Sequence, residues 1–150
     1  MVKVLVFGGS ARKDSYNKKL AAEAAAYAKK KGAEVTLIDI KDYAAPFYDG
    51  DLEASEGMPL KAKQLRNLMI ASDIVIISTP EYNASLPAIL KNAIDWASRG
   101  EDGNPSRDAF KGKKYAIMGA SIGKTGAGRC LVHLRQILES AGATVVEAQV

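Results

Sequence analysis

The sequence predicts an α/β protein built on a five-stranded parallel sheet with helices on both of its faces. Short apolar or β-branched runs alternate with segments of helical periodicity in the order β-α-β-α-β-α-β-α-β, and no internal repeat is detectable. Alternation of this kind is typical of parallel sheets with right-handed crossovers. Ligands of such sheets bind beyond the carboxyl ends of the strands, so we expect the functional residues in the loops that follow the strands.

The first unit is a strand followed by a helix. Residues 2–7 are β-branched, apolar or aromatic and stop at two glycines, which predicts a buried strand. Residues 16–31 have helical spacing and end in three lysines, which suit the negative end of the helix dipole, before Gly32. The residues expected on the inward face of this helix are Leu20, Ala24, Tyr27 and Ala28.

The middle of the chain contains the second and third strands. Residues 34–40 predict a strand, and residues 44–59, rich in proline, glycine and acidic residues, predict a loop. Residues 60–71 predict a helix. The most hydrophobic run of the chain, residues 74–78, is typical of a central strand.

The last units follow the same pattern. Residues 88–98 predict a helix, and residues 115–118 predict the fourth strand. A glycine-rich turn leads into a helix over residues 129–141, and residues 144–146 begin the fifth strand.

Composition limits the classes of protein to which the chain can belong. The 150 residues predict one domain, 1–150, and 47% hydrophobic with 25% charged residues is typical of a globular chain. No apolar run approaches the ~20 residues of a membrane span, so we expect no membrane partner. One cysteine, Cys130, excludes an internal disulfide and favours the cytoplasm. The single histidine, His133, excludes zinc sites that need two or more histidines. We therefore expect no metal.

The net charge is +4, from 21 basic and 17 acidic residues. The two halves of the sequence share this surplus equally, and neither carries a basic tail. The charge suits a small anionic ligand, although solubility alone also accounts for it. Because the basic residues are not clustered, we expect no nucleic-acid partner.

The loop after the first strand, residues 8–17, predicts a phosphate site. Ser10, Ser15 and Asn17 supply short polar groups, Arg12 supplies a bidentate guanidinium, and a helix N-terminus follows directly. The G-x-G-x-x-G pattern of dinucleotide-binding proteins is absent. The alternative interpretation is a plain helix cap by Ser15, with Arg12 in solvent.

The loop after the fourth strand contains Gly-Ala-Ser-Ile-Gly-Lys-Thr, which begins at Gly119 and is similar to a Walker A motif. Only three residues separate its glycines, whereas the motif needs four. The strand over residues 74–78 also ends without a Walker B aspartate. The sequence therefore does not favour a nucleoside triphosphatase.

The loop after the third strand reads Thr-Pro-Glu-Tyr-Asn-Ala-Ser-Leu-Pro over residues 79–87. Two prolines stiffen a segment that carries a carboxylate, a phenol and an amide. This combination indicates a flat, hydrogen-bonding surface for a planar ring. The alternative is a loop with a purely structural role.

These three stretches resemble the NADPH-dependent FMN reductase family of flavodoxin-like proteins, which includes chromate, quinone and azo-dye reductases. Residues 9–20 fit G-S-x-R-x-x-S-x-N-x-x-L, and residues 79–96 carry Thr-Pro-Glu-Tyr-Asn and Leu-Lys-Asn-Ala-Ile-Asp-Trp. Residues 119–135 carry Gly-Ala-Ser, then Arg129, then Leu-Arg. One departure is Ala127, which stands before Gly128 where the family often has a second glycine. We expect its methyl group to crowd the backbone near the flavin.

The resemblance implies a flavodoxin-like three-layer sandwich with strand order 2-1-3-4-5 and a bound FMN. It implies that the FMN phosphate is held by Ser10, Arg12, Ser15 and Asn17. It implies that the flavin ring is lined by Pro80, Glu81, Tyr82 and Asn83 and closed at its other edge by Gly119, Ala120 and Ser121.

The resemblance also implies a ping-pong oxidoreductase. NADPH or NADH gives hydride to flavin N5, and a quinone, azo, nitro or metal-oxyanion acceptor then removes the electrons. No catalytic side chain is expected, because the cofactor carries the chemistry. Cys130 is then a small buried residue and His133 a solvated one. Two alternatives stay open: a flavodoxin-type electron carrier without nicotinamide activity, which Arg12 and the positive charge disfavour, and a flavin-free regulatory or scaffold protein.

The flavodoxin-like plan has five helices, and four are predicted here. We therefore expect the C-terminal helix to be missing, either because the chain is truncated or because another contact covers that face. The resemblance implies a homodimer or homotetramer. Asp95 and Trp96 are expected to serve helix packing or a subunit contact.

Overall fold

The computed structural model describes residues 1–147, in which strands and helices alternate as the sequence predicts except that two helices follow the second strand. The strands are β1 (Lys3–Gly8), β2 (Glu34–Asp39), β3 (Ile74–Ser78), β4 (Lys114–Met118) and β5 (Thr144–Val145). The helices are α1 (Tyr16–Lys30), α2 (Gly50–Glu56), α3 (Leu60–Ala71), α4 (Ala88–Ala97) and α5 (Gly128–Ser140). No helix in the described part of the chain is long and apolar enough to cross a membrane.

The five strands form one parallel sheet with the order β2-β1-β3-β4-β5, which confirms the predicted fold class and topology. Gly8 lies opposite Ser78, and Ser78 lies opposite Met118. The carboxyl ends of the three central strands are therefore level, and the loops that follow them leave from the same edge of the sheet. The predicted absence of a helix after the fifth strand concerns residues outside the described part.

Alternate residues of each strand face opposite sides of the sheet. Leu5 and Phe7 face the larger core, where α3, α4 and α5 pack with Leu65, Leu90 and Leu134 among others. Val4 and Val6 face α1. The sheet thus lies between two helical layers.

The inward face of α1 differs from the prediction, because Tyr27 is 62% exposed. The buried residues of α1 are Asn17, Ala21 and Ala25, which recur at every fourth position. Their small side chains let α1 lie close to the sheet: a Cβ atom on Gly8 would lie 3.1 Å from the backbone nitrogen of Lys18. A tyrosine on that face would hold the helix off the sheet.

The prediction of a loop over residues 44–59 is wrong, because this segment contains α2. The side chain of Asp49 caps the helix by accepting hydrogen bonds from the amides of Asp51 (2.8 Å) and Leu52 (3.4 Å). Gly57, with φ of +77°, ends the helix. The acidic and glycine residues that indicated a loop therefore serve as helix caps. A 3₁₀ turn, Ile40–Tyr43, comes directly after β2.

Two side chains of α4 hold the segment before α2 in place. The amide of Asn92 donates to the carbonyl oxygens of Ala45 (3.1 Å) and Pro46 (3.0 Å) and accepts from the amide of Tyr48 (2.8 Å). The indole Nε1 of Trp96 donates to Pro46 at 2.8 Å. Because Trp96 is buried within this chain, it serves packing, the first of its two predicted roles.

A buried ion pair ties α2 to the end of α4. The Glu53 side chain is 6% exposed, and its carboxylate receives hydrogen bonds from Arg99 Nε at 3.0 and 3.1 Å and from the Tyr48 hydroxyl at 3.1 Å. The hydrogen bond from Arg99 lowers the pKa of Glu53 and outweighs the effect of burial, which raises it. The carboxylate is therefore held in its charged form.

Low pH should destabilise the folded protein, partly because protonation of Glu53 breaks this ion pair. Because folding lowers the pKa of Glu53, its stabilisation is complete above the ordinary glutamate pKa of about 4.3 and is lost as the pH falls through the lower, folded value. Below about pH 4.3, we expect the unfolding free energy of Glu53→Gln to fall less steeply with decreasing pH than that of the original chain. Urea denaturation across a pH series is the measurement. Glu56→Gln, which changes an exposed residue of the same helix, is the matched control. Equal slopes in the two variants would contradict the assignment.

Candidate functional site

Three loops meet at the carboxyl edge of the sheet and enclose a cavity of about 170 Å³ that opens to solvent. We name them the first loop (residues 9–15), the middle loop (79–87) and the third loop (119–127), and the space between them the three-loop cavity. Its lining residues come from these loops and the start of α1: Ser10, Arg12, Ser15, Tyr16, Asn17, Pro80, Glu81, Tyr82, Ala120, Ser121 and Ile122.

The structure brings together most of the residues that sequence analysis named as candidates. Only Asn83 and Gly119 do not line the cavity, although each is next to a residue that does. Tyr16 and Ile122, which are 54% and 94% exposed, also line the cavity and were not predicted from the sequence. An apolar Ile122 within a turn of glycine, serine and lysine is a signal that could have identified it.

The first loop and the start of α1 are built to receive an anion. Ser10 is buried, and its Oγ accepts a hydrogen bond from the amide of Arg12 at 3.2 Å. Ser15 caps α1 by accepting from the amide of Asn17 at 3.2 Å. The exposed Arg12 guanidinium donates only a long 3.4 Å hydrogen bond to the carbonyl of Asp14, and it forms no ion pair with any described residue. An unpaired guanidinium beside a helix N-terminus favours a negatively charged ligand.

The side-chain amide of Asn17 joins three segments of the chain. Its Oδ1 accepts from the hydroxyl of Ser78 and from the amide of Ala120, both at 2.9 Å, and its Nδ2 donates to the carbonyl of Ala120 at 2.9 Å. Asn17 is 2% exposed. These bonds use one N–H of the amide and fix the third loop against α1 and β3.

The middle loop contains a tight turn at residues 82–85. Tyr82 and Ser85 exchange two backbone hydrogen bonds, at 2.9 and 3.1 Å, and the two residues between them have positive φ, 50° at Asn83 and 65° at Ala84. This is the φ pattern of a type I′ turn, in which glycine usually takes the second central position. The alanine costs about 1 kcal/mol of strain there. The turn places Tyr82 at the wall of the cavity.

Glu81 is held by α5. Its side chain is 7% exposed, and the carboxylate lies 2.6 Å from Arg129 Nη2 and accepts from the amide of Cys130 at 3.2 Å. Burial raises the pKa of Glu81, but the hydrogen bonds from Cys130 and Arg129 together outweigh burial and lower it. Glu81 is therefore a charged residue paired within the protein. The pair was not predicted from the sequence.

Ala127 occupies the N-cap position of α5 with φ of 67° and is fully buried. A Cβ atom on Gly119 would lie 2.7 Å from the methyl carbon of Ala127 and 2.8 Å from the carbonyl oxygen of Thr79. The methyl group thus fills the space beside Gly119 at the start of the third loop and does not line the cavity, so crowding of the backbone near the flavin stays a prediction.

Cys130 is buried, as predicted, with its thiol 3.8 Å from the hydroxyl of Thr79. Burial raises the pKa of this thiol. A thiol kept protonated inside the core is a poor nucleophile, so Cys130 acts as a small packing residue.

The family model described as NADPH-dependent FMN reductase matches residues 2–150. An NAD(P)H-dependent FMN reductase from Pseudomonas aeruginosa is 42% identical over 137 residues, covering 91% of this chain and 69% of that protein. A quinone reductase from Escherichia coli is 39% identical over 137 residues, with the same coverage of each chain.

Solved structures agree with the fold. The flavoenzyme NAD(P)H:acceptor oxidoreductase FerB from Paracoccus denitrificans superposes with a TM-score of 0.82 at 36% identity, covering 98% of this chain and 76% of that chain. An azoreductase from Bacillus anthracis shares the fold with a TM-score of 0.66 at 20% identity, over 99% of this chain and 87% of that one.

Removing the Asn17 side-chain amide should destabilise the folded protein. In Asn17→Ala we expect the unfolding free energy to fall by about 1–3 kcal/mol, because the Ser78 hydroxyl and the Ala120 backbone lose their buried partner. Urea denaturation at unchanged m-value is the measurement. The matched control is Asn67→Ala, which truncates an exposed asparagine of α3 and should be neutral or slightly stabilising. The same effect in both variants would show that the Asn17 bonds are not important for stability.

Proposed function

The chain belongs to the NADPH-dependent FMN reductase family, and we propose that its three-loop cavity is the site that holds FMN. Its activity is accordingly that of an FMN-dependent NAD(P)H oxidoreductase. When bound, FMN takes up hydride from the reduced nicotinamide and passes the electrons on to an acceptor.

The first loop fits the phosphate of FMN. Ser10 and Ser15 place hydroxyl groups in the cavity, the N-terminus of α1 adds backbone amides, and Arg12 adds a cation without an acidic partner among the described residues. This set supplies a positive charge and hydrogen-bond donors, both of which suit a dianionic phosphate. The uncompensated Arg12 at the end of the cavity is the observation that carries the proposal.

The middle and third loops fit the flavin ring. Pro80, Glu81 and Tyr82 line one wall, with Asn83 next in the chain, and Ala120 and Ser121 line the other, with Gly119 just before them. Because the carboxylate of Glu81 is paired with Arg129, it is the backbone of Glu81 that is left for the ring. The residues bind and orient the ring, and no side chain is required to transfer a proton.

We propose quinones as acceptors, because the Escherichia coli relative is a quinone reductase and a Burkholderia relative at 36% identity is a 2-hydroxy-1,4-benzoquinone reductase. Either NADPH or NADH serves as donor. We further propose a cytoplasmic homodimer or homotetramer. Exposed apolar side chains such as Phe47 and Ile122 support the oligomer. The single buried thiol, which forms no disulfide, supports the cytoplasm.

The visible spectrum of the purified protein tests this function. Protein incubated with FMN and freed of excess cofactor should be yellow, and NADPH or NADH added without oxygen should bleach it. A quinone should restore the colour. Yellow protein that dithionite bleaches but neither nicotinamide does would indicate an electron carrier, and protein that does not retain FMN would overturn both flavin functions.

The phosphate assignment is tested by Arg12→Ala. We expect FMN affinity to fall by about 1.5–3 kcal/mol, because a charge-assisted contact to the phosphate is lost. Fluorescence titration of FMN provides the dissociation constant. Lys13→Ala, which removes the neighbouring exposed cation, should bind nearly as the original chain does. Unchanged affinity in Arg12→Ala would show that the phosphate lies elsewhere.

A further inference from the structure

The middle loop is fastened to α5 at both ends of its tight turn. At one end, Glu81 contacts Arg129 and the amide of Cys130. At the other end, the hydroxyl of Ser85 and Nδ1 of His133 share a hydrogen bond of 3.0 Å. Arg129 and His133 are four residues apart in α5 and so lie on the same face of that helix. One helix therefore holds both ends of the turn.

The turn needs external support. Its two central residues both have positive φ, and Ala84 has no glycine-like freedom to adopt that conformation without strain. Among the described residues, two backbone bonds between Tyr82 and Ser85 close it, and Tyr82 is 49% exposed. A strained and exposed turn opens easily unless something outside it fixes its conformation.

Helix α5 is a rigid support for this purpose. Leu134 and Leu138, which follow His133 in the helix, are fully buried in the larger core. The imidazole of His133 itself is exposed and lies beside an open groove that Ser85 also lines. The contact between the two side chains thus connects a fixed helix to a movable turn.

We propose that His133 is a positioning residue that, through Ser85, fixes the turn carrying Tyr82 against the three-loop cavity. The proposal rests on the proposed function in that Tyr82 is taken to contact the flavin ring or the acceptor. His133 touches neither of them and transfers no proton. Its role is to keep Tyr82 at the cavity wall when cofactor and substrates enter.

Hydrogen exchange tests the contact without any cofactor. In cofactor-free protein, we expect amide exchange in the peptide that spans residues 81–86 to rise about three- to tenfold in His133→Ala and in Ser85→Ala. The double variant should exchange no faster than either single one, and His133→Asn, which keeps a polar atom near the position of Nδ1, should return exchange towards the original rate. Gln136→Ala, which truncates an exposed neighbour on the same groove, is the control. Exchange in His133→Ala equal to that in the control would overturn the proposal.

Kinetics of the FMN-loaded protein test positioning rather than simple structural support. We expect His133→Ala to raise KM for a benzoquinone acceptor about three- to tenfold, to change kcat less, and to shift the visible spectrum of the bound flavin. Faster exchange with unchanged KM and spectrum would reduce His133 to a structural residue and overturn the proposal. If the original chain fails to retain FMN, the proposed function fails, while the exchange experiment still decides whether His133 holds the turn.

Discussion

The side-chain amide of Asn17 is the interaction on which the three-loop cavity depends. A parallel sheet brings the ends of β1, β3 and β4 to one level but leaves the loops beyond them free to move. The amide joins α1 to Ser78 at the end of β3 and to both backbone groups of Ala120 in the third loop. An aspartate could not donate to the Ala120 carbonyl, and a serine would be too short. The Ser15 cap completes this arrangement, because it fixes where α1 begins.

Helix α5 supplies the second constraint. Two alanines adopt positive φ near the cavity, Ala84 in the middle loop and Ala127 at the start of α5, and each costs about 1 kcal/mol. Contacts from the first two turns of α5, made by Arg129, Cys130 and His133, hold the middle loop in spite of this strain. Among these contacts, the ion pair with Arg129 balances the negative charge of Glu81. Arg12 is then the cation at the cavity that no described acidic residue balances.

The motif residues were predictable because the rules that bring them together are general. Five apolar runs with helices between them predict a parallel sheet, and a parallel sheet brings the loops after its strands to one edge. For this reason the sequence predicts that Ser10, Tyr82 and Ala120 lie near each other. The errors have local causes. The acidic segment 49–57 has the composition of a loop, yet Asp49 and Gly57 cap a helix within it. Helical spacing identified α1 but placed Tyr27 inward, since periodicity does not reveal how closely a helix approaches the sheet.

The sequence by itself determined the order of the strands and of helices α1, α3, α4 and α5, and it identified the three candidate loops. It also predicted which residues of those loops hold a phosphate and a planar ring. Only the tertiary structure decided the partners of those residues. Glu81 and Arg129 are 48 positions apart, as are Ser85 and His133, and Asn17 and Ala120 are 103 apart. Local propensity and spacing act over a few residues, whereas these bonds depend on how each helix packs on the sheet. Helix packing therefore decided which polar groups of the cavity remain free for a ligand.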